Sequence, residues 1–67
     1  MRKMLQSRLK VERVKAGMTQ EELSKASGVS RNIISKVENG DLSSITYGKL
    51  EKLSKVFELS PKELFFE

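Results

Sequence analysis

The chain has 67 residues, a net charge of +4, 37% hydrophobic and 33% charged residues, and no histidine, cysteine or tryptophan. A chain of about 60 residues buries only about 60% of its unfolded surface, so one small domain spanning 1–67 is expected. The missing residue types exclude disulfides, an imidazole base, a thiolate nucleophile and nitrogen or sulfur metal ligands. No enzyme, metal or cofactor is therefore expected. The absence of cysteine suits a reducing compartment, no apolar run approaches a membrane span, and MRKMLQSRLK lacks the apolar core of a signal peptide, so a cytoplasmic protein is expected. Residues 1–36 carry nine basic and three acidic side chains, whereas 37–67 carry four and six. Positive charge gathers in the first half, as suits a polyanionic partner.

Periodicity and end signals predict helices at about 3–16, 20–27, 31–38, 47–57 and 61–66, and no segment alternates as a half-buried strand does. The fold class is all-α, a compact five-helix bundle. The first helix turns Leu5, Leu9 and Ala16 toward the core, leaves Met4 and Val11 off that arc, and ends at Gly17. Thr19 and Glu22 have the spacing of a capping box and start the second helix, which buries Leu23. Ser24 and Ser27 share its inward arc. They are small enough to let the next helix approach, with hydroxyls able to bond back to the preceding turn.

Gly28, Val29 and Ser30 join this helix to the third, with Ser30 as cap. At about 100° per residue, Ile33, Ile34 and Val37 fall on one arc of the third helix, and Arg31, Asn32, Ser35 and Lys36 on the opposite one. One arc can pack while the other meets a partner. After Gly40, Thr46 caps a fourth helix with Leu50, Leu53 and Phe57 inward and Lys49, Lys52 and Lys55 on a solvated face. Ser60 with Glu63 forms a second capping box around Pro61, and Leu64 closes the core. Each of these four starts has an apolar staple: Met18 with Leu23, Val29 with Ile34, Ile45 with Leu50, Leu59 with Leu64. Phe65 and Phe66 cannot both point inward from one turn. At least one is expected at the surface, near Met4 and Val11, as part of a self-complementary interface in a homodimer.

Two helices joined by so short a turn must cross steeply, which is a helix-turn-helix at about 19–39. The stretch MTQEELSKASGVSRNIISKVENG resembles the helix-turn-helix of the phage repressor and Cro family (XRE family), and the resemblance runs from about Leu9 to Leu64. TQEEL, GVSR and VENG at these spacings carry it, and LSPKEL is similar to the family's closing helix. The resemblance implies a compact five-helix domain with its third helix in the major groove of double-stranded DNA. It implies base contacts by Arg31, Asn32 and Lys36, with Ser35 on the same arc, and phosphate contacts by Gln20, Ser30 and the chain around Asn39. It also implies a structural ion pair between Arg13 and Glu38. Two positions depart from the pattern. Glu12 stands where many members have leucine, and Asp41–Thr46 carries no Lys or Arg where some members place basic residues.

The residues themselves support the same division, since amides at helix starts attract phosphate and long polar side chains opposite a packed face can enter a groove. The expected function is a sequence-specific DNA-binding transcriptional regulator of repressor type, working as a dimer on a near-palindromic operator without a small-molecule ligand. The alternative is a protein-interaction module, antitoxin-like or an adaptor subunit, with DNA binding secondary.

Overall fold

A computed structural model of the chain describes residues 8–65. Among them are five helices and no strand: α1 (Arg8–Lys15), α2 (Gln20–Ser27), α3 (Arg31–Glu38), α4 (Tyr47–Val56) and α5 (Pro61–Phe65). The fold is an all-helical bundle, as the sequence implies. The limits of α2 and α3 coincide with the expected ones, and α4 ends one residue early. Leu5, Met4 and Phe66 lie outside the described residues.

Leu9, Leu23, Val29, Ile34, Val37, Leu53 and Leu64 form one buried cluster, drawn from α1 to α5 and from the turn before α3. Met18, Ile45 and Leu59, the staple residues that precede α2, α4 and α5, pack against it. α2 packs on α3 and α4, while α1 packs on α3 and α5, so α3 is held on two sides. Ile33 and Phe57 are only half-buried against the cluster. Ala16 is exposed, contrary to its expected core position. It falls beyond the last helical residue, Lys15, where the chain turns through Gly17 in a left-handed conformation and carries Met18 inward instead. The helical period stops applying at the cap.

Glu12 is half-buried and lies 3.5 Å from Arg8 Nη2 and 3.8 Å from Lys15 Nζ. These exposed pairs hold the acid on the flank of α1. Arg8 Nη1 also donates to the Glu63 carbonyl at 3.1 Å, which ties α1 to α5. The Ser60 backbone N–H and hydroxyl hold the Glu63 carboxyl below its usual range.

The end of α4 is unusual. Leu59 N–H donates to the Ser54 carbonyl and Glu58 N–H to the Lys55 carbonyl, both at 3.1 Å, as in a Schellman cap. The left-handed position of this cap is filled by Glu58, at φ 57°, rather than by glycine. A side chain in that conformation costs about 1–2 kcal/mol, against about 0.5–1 kcal/mol for the extra chain entropy of glycine. Glu58→Gly is therefore expected to raise stability by about 0.5–1 kcal/mol, read as a higher urea midpoint at unchanged slope. A lower midpoint would contradict the account of this turn.

Candidate nucleic-acid interface

The turn between α2 and α3 is fixed by its own small side chains. Gly28, at φ 79°, lets the chain leave α2 through the left-handed region while its N–H donates to the Ser24 carbonyl at 2.9 Å. The Ser27 hydroxyl donates back to the Leu23 carbonyl at 2.8 Å and accepts from Val29 N–H at 3.2 Å. Ser24 behaves differently from the expected backward bond. Its hydroxyl reaches forward to the Val29 carbonyl at 2.7 Å, pinning the turn rather than the helix. Val29, 1% exposed, then plugs the turn into the core.

From this turn α3 emerges with its two arcs separated. Ile34 and Val37 are buried, Arg31, Asn32 and Lys36 are exposed, and Ser35 is half-buried. Ser30 caps the helix, its Oγ accepting from Ile33 N–H at 3.3 Å, which leaves the hydroxyl hydrogen free to donate outward. Asn39, exposed at the far end, donates its N–H to the Ser35 and Lys36 carbonyls. α2 is capped by Thr19, whose Oγ1 accepts from Glu22 N–H at 3.0 Å while Glu22 Oε1 accepts from Thr19 N–H at 2.8 Å. The amides of Gln20 and Glu21 have no carbonyl one turn earlier to bond. A shallow depression lined by Arg13, Thr19, Gln20, Glu21 and Arg31 joins the starts of α2 and α3. The sequence assigns Glu21 no role in this surface. Only the fold shows that an acid stands beside Arg31 there.

Behind this depression the structure brings Arg13 and Glu38 together. Arg13 Nε donates to Glu38 Oε2 at 2.6 Å, Nη2 donates to Oε1 at 3.2 Å, and Nη1 donates to the Met18 carbonyl at 2.7 Å. The side chains are 13% and 4% exposed. Bonding to Glu38 and, less, its negative charge raise the Arg13 pKa above its ordinary value against the opposing effect of burial. Gln20 joins the same network, its Nε2 donating to Glu38 Oε1 at 3.1 Å. Arg13, expected as a partner of Glu38, and Gln20, expected at a phosphate, thus share one carboxylate.

A family model described as a helix-turn-helix matches residues 9–64 of this chain. The chain belongs to the helix-turn-helix family of the phage repressor and Cro type. Comparison with curated proteins and with solved structures gives no match. Membership of this family makes the chain a DNA-binding transcription regulator. Among the described residues of this helix-turn-helix protein, no helix is long and apolar enough to cross a membrane. Nor do three or more acidic side chains among them gather as a metal site. At the C-terminal end Phe65 is half-buried against the core, so the surface aromatic expected there is not fully presented by this residue.

Proposed function

We propose that the protein is a cytoplasmic, sequence-specific regulator that reads double-stranded DNA with α3 as a homodimer on a near-palindromic operator. The observation that carries this is the two-sided character of α3, with Ile34 and Val37 sealed in the core and Arg31, Asn32 and Lys36 open on the other arc. Arg31 and Lys36 suit the O6 and N7 acceptors of guanine, Asn32 suits the N6 and N7 of adenine, and Ser35 can bond to either. Gln20, Ser30 and the chain around Asn39 supply donors for phosphate at the flanks. One α3 reaches only a few base pairs, so two copies about 34 Å apart give the affinity an operator needs. The uncovered part of Phe65, with Phe66 beyond it, supplies the apolar contact between copies. Val11, 50% exposed, offers further apolar surface on α1.

Alanine at Arg31 is expected to relax the preferred sequence, with about 1–3 kcal/mol of base discrimination lost. Alanine at Gln20 is expected to weaken every duplex alike. Competition binding of each variant to matched and single-substitution duplexes measures both. A changed site preference for Gln20→Ala together with an unchanged one for Arg31→Ala would reverse the assignment of the two surfaces.

A further inference from the structure

Glu38 is a carboxylate almost out of water, and its two oxygens serve two elements at once. Oε2 is taken by Arg13, and Oε1 is shared between Arg13 Nη2 at 3.2 Å and Gln20 Nε2 at 3.1 Å. Gln20 is the first residue of α2, where a glutamine side chain has several open rotamers. Its bond to Glu38 removes most of that freedom. A carboxamide nitrogen carries two hydrogens. With one on Glu38, the second is left for an acceptor outside the network, beside the free amides of Gln20 and Glu21 and the depression that Arg31 shares. A lone carboxylate so near would repel a phosphate, but the double contact with Arg13 neutralises it.

We propose that Glu38 is a positioning residue for DNA binding: ion-paired with Arg13, it orients the Gln20 amide so that its second hydrogen faces a backbone phosphate. This rests on the phosphate role proposed for Gln20. Glu38 then does more than brace α1 against α3. It transmits the placement of α3 to the phosphate contact at the start of α2, so the two helices engage DNA as one unit.

The test is a double-mutant cycle on affinity for a fixed 20-base-pair duplex of arbitrary sequence at one salt concentration. It uses the full chain as wild type, Gln20→Ala, Glu38→Gln and the double variant, each held where circular dichroism shows it folded. Each single variant is expected to bind about ten- to a hundredfold more weakly, the loss of one charge-assisted hydrogen bond. The double variant is expected to bind no more weakly than the worse single one. Losses that multiply would mean that Glu38 acts without Gln20, and the proposal falls. An unchanged affinity for Gln20→Ala overturns it through the phosphate role instead. Side-chain amide ¹⁵N relaxation of Gln20 in the free wild-type protein tells these failures apart, because the bond to Glu38 requires an ordered amide with or without DNA. If Glu38→Gln does not fold, that relaxation measurement decides. A Gln20 amide as mobile as an unrestrained side chain contradicts the proposal, and an ordered one supports it.

Discussion

Glu38→Gln is expected to lower stability by about 3 kcal/mol, the lower end of what breaking a buried ion pair costs, because glutamine still offers one acceptor oxygen to Arg13. The two side chains are 13% and 4% exposed, so neither regains full hydration when its partner is removed. The guanidinium would keep the Met18 carbonyl and that one amide oxygen as acceptors but lose the opposite charge. A domain of this size has roughly 3–10 kcal/mol in total, and each kcal/mol moves the Tm by about 4–8 °C. The melting temperature in the absence of DNA should therefore fall by about 12–24 °C. Replacing both partners by apolar residues of similar size, Arg13→Met with Glu38→Leu, should recover most of the loss, since no charge is then left buried. The sign with pH follows from the raised Arg13 pKa: this contribution is complete below the ordinary arginine range and disappears only as pH climbs through the still higher folded value. A melting curve unchanged by Glu38→Gln would contradict the account.

Ile34→Ala is expected to cost about 2–5 kcal/mol, and Ile34→Val only about 0.5–1.5 kcal/mol. Ile34 is fully buried, and its staple partner Val29 is 1% exposed. The cavity would open between α3 and the turn that sets its angle, where Ser24 and Ser27 already hold the backbone through hydrogen bonds and leave little room to collapse. Urea unfolding measures the loss, with an unchanged slope showing that the fold persists. DNA binding at low temperature should weaken as well, because the same side chain seats α3, the proposed reading helix. A loss under about 1 kcal/mol for the alanine variant would mean that α3 is held by something other than this packing.

The features that place α3 are legible in the sequence because they are local. Thr19 with Glu22, Ser30, and Gly28 fix the ends of α2 and α3 by bonds within a few residues, and those two helices have the expected limits. Position on a helical arc also identifies Leu9, Leu23, Ile34, Val37, Leu53 and Leu64 as core. What escapes sequence reasoning depends on where a helix stops or on what lies opposite. Ala16 sits on the correct arc of α1 but past its end. Glu58 occupies a left-handed position usually signalled by glycine, so nothing in the residue marks it. Ser24 turns forward because Val29 offers a carbonyl there. Gln20 and Glu38 are 18 residues apart, and only the packing of α2 on α3 reveals that they meet.

The central claim, that α3 reads duplex DNA by sequence, is tested most directly by selecting bound sites from a pool of random duplexes and titrating the selected site against a scrambled one across a salt series. The account predicts enrichment of a near-palindrome with half-sites about one helical turn apart. It also predicts affinity that falls steeply and linearly in log–log form with salt, with the selected site tighter than the scrambled one at every concentration. Recovery of no common sequence, with equal affinity for both duplexes, would contradict it and favour a protein partner as the main ligand.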